Sequence, residues 1–96
     1  MSALREEQKL SKQVIIAQGT TTIGRGKSNL MVLPFRTVSM FHAQIITFNK
    51  TSHIMDLDSK NGIYVNGKKT HHHFLREGDS VHIGDYNFIV AGFEEN

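Results

Sequence analysis

Turn chemistry recurs along this chain at intervals of roughly ten residues, and that spacing limits what it can fold into. The punctuation is Gln18-Gly19, residues 24–29, residues 49–52, Asn61-Gly62, Asn66-Gly67, Glu77-Gly78-Asp79 and Gly84-Asp85. Between these lie short runs rich in β-branched and aromatic residues, at 14–16, 20–23, 43–48, 53–57, 63–65, 81–83 and 86–93. No stretch carries the periodicity of an amphipathic helix of three turns. Short strands at this spacing, with no helices between them, predict an all-β antiparallel sandwich or barrel. Asn66-Gly67, flanked by Tyr64-Val65 and Lys68-Lys69, is a two-residue hairpin signal because both residues tolerate positive φ.

A chain of 96 residues has room for one domain. At this size about 60 to 68% of the unfolded surface is buried, enough for a core but not also for a deep catalytic cavity, so shallow function built from loops is favoured. There is no cysteine, which removes disulfides, Cys-based zinc sites and thiol nucleophiles. The longest apolar runs, such as 14–17, are far short of the ~18 residues that suggest a membrane span, and residues 1–13 lack a signal-peptide core. A cytoplasmic setting is the expectation. Eleven Lys and Arg against nine Asp and Glu give a net charge of +2, and only Lys68-Lys69 cluster, which is weak ground for nucleic-acid binding. Residues 1–12 are polar with alternating signs and read as a flexible N-terminal arm or linker end, leaving 13–96 as the domain.

The longest irregular stretch, 24–41, holds Arg25, Lys27, Ser28, Arg36, Thr37 and Ser39, far more donors than a connector requires. Three segments combine here: Gly24-Arg25 after a strand, Ser39-x-x-His42 before one, and Ser59-x-Asn61-Gly62-x-x-Val65-Asn66-Gly67 across a turn and hairpin. With Leu75-x-x-Gly78-Asp79-x-Val81-x-Ile83-Gly84 further on, the chain resembles the forkhead-associated (FHA) domain from about Thr22 to Phe93. That resemblance implies a β-sandwich of about eleven strands, with loops at one end that bind phosphothreonine peptides.

The chemistry suits those residues. A phosphothreonine brings about −1.5 to −2 charges and three acceptor oxygens, which call for a planar cation, short hydroxyl donors and free backbone N–H groups. By the resemblance, Arg25 and Ser39 hold the phosphate, Asn61 holds the peptide main chain, and the Ser59 to Gly62 turn supplies backbone donors. His42 corresponds to a buried brace, Gly24 lets the strand end turn so as to aim Arg25, and Gly62 supports the turn. Two positions depart from the family pattern. Met40 stands where Arg or another polar residue is common and offers only its backbone N–H, and Lys60 stands where the turn usually carries a hydroxyl. Lys60 is expected to compensate in part through its charge. Thr37 and the loop before Phe74 are assigned to peptide selectivity.

Other readings of the same residues have less support. Ser39 and His42 with Asp56 or Asp58 resemble a hydrolase triad in composition, but no nucleophile elbow surrounds Ser39, and no enzymatic activity is expected. His71-His72-His73 reads as a solvated loop, because at most His71 and His73 share a face of extended chain while tetrahedral zinc wants three or four ligands. No cofactor or metal is therefore expected. Ile45, Phe48, Ile54, Leu57, Val81, Ile83, Phe88 and Val90 are assigned to the core. The partner expected is a phosphothreonine-containing protein marked by a Ser/Thr kinase, and neither membrane nor nucleic acid. The alternatives are a domain of the same fold that binds without phosphate and, more distantly, a nucleic-acid or metal-binding β domain.

Overall fold

The computed structural model describes residues 11–94. Ten strands occur among them: β1 (Ser11–Ile16), β2 (Gly19–Gly24), β3 (Met31–Val32), β4 (Ala43–Phe48), β5 (Thr51–Asp56), β6 (Ile63–Val65), β7 (Lys68–Thr70), β8 (His72–Phe74), β9 (Ser80–Ile83) and β10 (Tyr86–Phe93). The described residues thus hold ten strands where about eleven were expected. They form two five-stranded sheets, β1-β10-β9-β6-β7 and β3-β2-β4-β5-β8. The sheets are mixed rather than wholly antiparallel. β1 runs parallel to β10, and β2 parallel to β3. Hairpin signals report antiparallel neighbours in sequence, whereas β1 and β10 lie at opposite ends of the described residues, and β2 and β3, joined by residues 25–30, run parallel. β1 also starts at Ser11, two residues ahead of the expected boundary, and the rest of the expected arm lies outside the described residues.

Alternation of side chains sets the core. Ile45, Ile54, Val81, Ile83, Phe88 and Val90 are buried, packed with Ile16, Ile23, Ile63 and Val65 between the sheets. Each such side chain contributes roughly 1.5–3 kcal/mol on burial. Leu57 is only half-buried, and Phe48 is 75% exposed. Phe48 corrects the expectation by parity: it lies three positions after Ile45, and odd offsets on a regular strand point to opposite faces. Thr47 and Ser52, directly paired across β4 and β5, are also buried and satisfy each other by a hydroxyl–hydroxyl hydrogen bond.

The turns follow their chemistry. Asn66 and Gly67 sit at φ 53° and 83° between β6 and β7, closing the hairpin read from the sequence. Asn66 Nδ2 donates to Asp79 Oδ1 at 2.9 Å, and Asn66 Oδ1 accepts from Ser80 N–H at 2.9 Å, so the hairpin is tied to the start of β9. Burial pushes the Asp79 carboxyl up. The hydrogen bonds from Asn66 and from Arg76 N–H, with His73 beside them, outweigh that and hold it below the usual carboxylate value.

The His run contradicts its reading as a solvated loop. Residues 72–74 form β8, which pairs with β5 in the register His53↔Phe74, Ile54↔His73, Met55↔His72. Histidine has no strong β preference, so composition gave no signal. What makes the strand is the open edge of β5, whose backbone groups take β8 as their partner.

Phe88→Ala is expected to destabilise the domain by about 3–5 kcal/mol, while Phe48→Ser stays within about 0.5 kcal/mol. Urea unfolding followed by circular dichroism checks both, and a large loss from Phe48→Ser would contradict the assigned faces.

Candidate functional site

The ends of β2 and β5 and the starts of β4 and β6 meet at one end of the sandwich. The segments between them, 25–30, 33–42 and 57–62, are joined there by hydrogen bonds, and Leu33 and Val38 of the middle segment are buried in the core. Arg25 follows β2 directly, and its backbone N–H donates to Ser39 O at 2.9 Å. Its side chain turns back as well, with Nε donating to Val38 O at 3.0 Å. No hydrogen bond among the described residues engages the two Nη groups of the exposed guanidinium, so its outer edge is held in place and left open.

Close backbone approach accounts for Gly24. A Cβ there would run into the Met40 carbonyl and come within 2.8 Å of Asn29 Nδ2. The missing side chain thus admits the 39–41 backbone against the end of β2. The sequence reading credited Gly24 with letting the strand turn; the structure assigns it close contact. Asn29 completes this joint. It is buried, and its Nδ2 donates to Gly26 O and Met40 O, both at 2.8 Å. In the sequence Asn29 stands where the 24–29 turn meets the short apolar run to Leu33, and its position three residues after Gly26 is the one signal of this role.

His42 joins the other two loops. It is fully buried, Ser39 N–H donates to its Nδ1 at 3.0 Å, and its Nε2 lies 2.8 Å from Gly62 O. Because Nδ1 accepts, the proton must sit on Nε2, which donates to the Gly62 carbonyl. The ring thus links the two loops, and its geometry is not that of a triad. The ring bonds to the Ser39 backbone instead of its hydroxyl, while Asp56 accepts from Ser59 N–H at 3.2 Å and from Ser59 Oγ.

The 59–62 turn differs from expectation in where its donors go. Gly62, at φ +78°, donates its N–H to Ser59 Oγ at 2.9 Å, and Lys60 N–H donates to Ser39 Oγ at 3.1 Å. Most of the turn's backbone donors are therefore spent inside the protein. A second consequence concerns the Ser39 hydroxyl: with a lone pair taken by Lys60 N–H, its own hydrogen points elsewhere and is free to donate. Asn61 Nδ2 donates to Thr37 O at 2.8 Å, which leaves Oδ1 unengaged on an exposed residue. Thr37 is tied in turn to the β9–β10 turn, where Asp85 N–H donates to its Oγ1 at 2.8 Å. Gly84, at φ +58°, leaves room for that contact, since a Cβ would lie 2.6 Å from Thr37 Oγ1.

The structure thus brings together Arg25, Ser39, Lys60 and Asn61, with Met40 adjoining them through the chain. Met40 O is occupied by Gly26 N–H and Asn29, while its N–H has no partner among the described residues and its side chain is half exposed. The segment before Phe74 enters no hydrogen bond with these loops; it belongs to β8. Around the loops stand exposed apolar side chains that the sequence reading did not single out, among them Leu30 and Phe41.

Truncating His42 to Ala strands the Ser39 N–H and the Gly62 carbonyl, each at a cost of about 1–3 kcal/mol when buried. The expected result is a lower urea midpoint together with broadened amide resonances at 39–42 and 59–62. An unchanged midpoint would remove His42 from this role.

Residues 21–84 match the sequence profile of the FHA domain. Among curated relatives, an ABC transporter ATP-binding/permease protein of Mycobacterium tuberculosis is 34% identical over 73 residues, covering 76% of this chain and 8% of that protein. An oxoglutarate dehydrogenase inhibitor of Corynebacterium efficiens is 33% identical over 79 residues, 81% of this chain and 56% of the inhibitor. The chain therefore spans about half the length of the second relative and a small part of the first. Of solved structures, Mycobacterium tuberculosis EmbR in complex with a low-affinity phosphopeptide superposes with a TM-score of 0.74 at 31% identity, covering 81% of this chain and 21% of EmbR. An FHA domain solved for its phosphothreonine-dependent interactions gives a TM-score of 0.71 at 31% identity, covering 73% of each chain. With a profile match over two thirds of its length and the sandwich of those structures, the chain belongs to the FHA domain family.

Proposed function

We propose that the loop cluster is a docking site for a phosphothreonine-containing segment of a partner protein, marked by a Ser/Thr kinase. The observation that carries this reading is the state of Arg25 and Ser39. The guanidinium is anchored through Nε with both Nη groups free, beside a hydroxyl whose acceptor side is already occupied. Such a pair offers a dianionic phosphate several donors already in position and asks for little reorganisation. Met40 N–H adds a backbone donor, Lys60 a mobile charge, and Asn61 Oδ1 an acceptor for a peptide N–H beside the phosphate. Preference for phosphothreonine over phosphoserine follows the phosphothreonine-dependent relative. The role is binding, in keeping with a Ser39 hydroxyl that has no bond to the His42 ring. No helix among the described residues is long and apolar enough to cross a membrane, and a cytoplasmic partner fits a mark written by protein kinases.

Charge-assisted hydrogen bonds contribute about 1.5–3 kcal/mol each. After the cost of ordering a flexible peptide, a dissociation constant of roughly micromolar order, about −8 kcal/mol, is expected. In a titration of a phosphothreonine peptide library, with unphosphorylated and phosphoserine controls, Arg25→Ala is expected to weaken binding about a hundredfold, or ~3 kcal/mol. A second reading, phosphate-independent docking on the same fold, draws on Met40 and the exposed Leu30 and Phe41. Equal affinity for phosphorylated and unphosphorylated peptides, unaffected by Arg25→Ala, would favour it and defeat the first.

Lys60 has no ion pair among the described residues, and its contribution is expected to be screened. Lys60→Ala should weaken phosphopeptide binding several-fold at about 0.01 M salt and much less at about 1 M, where the screening length falls from about 30 to 3 Å. Identical affinities for the two proteins at low salt would show that the cation takes no part.

A further inference from the structure

We propose that His53 and His72, facing each other across β5 and β8, form a two-imidazole site for a divalent cation of the nickel, copper and zinc class. Within the His run at most two members share a face of extended chain, and those are His71 and His73. The fold selects a different pair. In the β5–β8 register, Ile54 opposite His73 points to the core, so His53, Met55, His72 and Phe74 share the outer face. On that face His53 Nδ1 and His72 Nε2 stand 2.6 Å apart.

Two imidazole nitrogens bound to one such cation at about 2.0–2.1 Å lie about 2.9 Å from each other at the right angle of a square-planar or octahedral ion, and about 3.3 Å at the tetrahedral angle of zinc. For a square-planar or octahedral ion the observed pair opens by a few tenths of an ångström, and for tetrahedral zinc by about 0.7 Å, with both rings turning so that their lone pairs converge on the cation. One of the two nitrogens carries a hydrogen when both rings are neutral. Neither His53 Nε2 nor His72 Nδ1 has a partner among the described residues, so the donating ring can move that proton to its other nitrogen. Both facing nitrogens then present lone pairs, and no net proton is lost.

The surroundings favour an imidazole-seeking metal over a hard one. Phe74 walls the pair, 5.5 Å from the His53 ring and 5.2 Å from the His72 ring between centroids. Met55 is paired with His72 across the strands, which places a soft thioether residue on the same face. No carboxylate joins these residues, and no group of three or more His, Cys, Asp or Glu with metal-binding geometry occurs among the described residues. The site therefore supplies two ligands, and water completes the coordination. His73 belongs elsewhere: it lies 3.5 Å from Asp79 Oδ2.

The test is calorimetric titration of the full chain with Ni²⁺, and with Mg²⁺ as the oxygen-seeking control. One Ni²⁺ equivalent is expected to bind and Mg²⁺ none. His53→Ala and His72→Ala should each lower Ni²⁺ affinity about tenfold or more, as should His53→Gln and His72→Gln, which keep more side-chain volume on the strands, while His71→Ala changes it less than twofold. By linkage, Ni²⁺ must also raise the unfolding temperature of the unsubstituted chain, and raise that of His72→Gln by less at the same concentration. The proposal is overturned by absent Ni²⁺ binding, by equal binding of Mg²⁺, by an affinity insensitive to His53 and His72, or by a loss from His71→Ala as large as theirs. That last result would mean that the run acts as a flexible tag.

Discussion

A single buried imidazole holds the working end of this domain in shape. His42 accepts from the Ser39 backbone on one nitrogen and donates to the Gly62 carbonyl on the other, so two loops far apart in sequence share one rigid joint. Nothing apolar could do the same. A side chain that only packed there would leave a buried N–H and a buried carbonyl without partners. The direction of the proton is fixed by the chemistry of the two neighbours, and the two bonds in turn fix the spacing between the loop carrying Ser39 and the turn carrying Asn61.

From this joint the remaining polar groups divide into those that build the site and those it presents. Ser59, Gly62, Asn29 and Thr37 direct their bonds inward, closing turns and tying loop to loop. Arg25 Nη, the Ser39 hydroxyl hydrogen, Met40 N–H and Asn61 Oδ1 are left over. The distribution has a thermodynamic logic. Donors fixed before a ligand arrives lose little freedom when it binds, and a small domain without a deep cavity depends on such preorganisation for affinity. Glycine contributes by absence at Gly24 and Gly84, where the backbone of the 37–41 segment approaches too closely for a Cβ.

The outer face of the second sheet follows a different rule. β8 is a three-residue edge strand, and its side chains meet those of β5 only because the two backbones pair. Phe48 and Phe74 are left exposed there, and two histidines are brought edge to face. None of this contributes to the core. The face is a by-product of register, and its chemistry depends on which residues happen to stand opposite one another.

Much of the fold and most of the site were legible in the residues themselves. Turn residues at regular spacing determined an all-β chain, the Asn66-Gly67 pair determined its hairpin, and Arg25, Ser39, His42 and Asn61 stood in segments whose pattern marks the binding end of an FHA domain. These features are local or carried by motif, so the sequence determines them without knowledge of what packs against what. Tertiary structure alone decided the parallel pairings of β1 with β10 and β2 with β3, the strand formed by residues 72–74, and the diagonal side-chain contact of His72 with His53. It also decided that the donors of the 59–62 turn are mostly consumed internally, and that Asn29 is a buried brace. Most of these depend on contacts between segments far apart in sequence, such as Lys60 with Ser39 and Asn29 with Met40. The partner of a backbone or side-chain polar group is chosen by whichever unsatisfied group the closed sandwich brings within hydrogen-bonding distance, and that choice exists only once the sheets have formed.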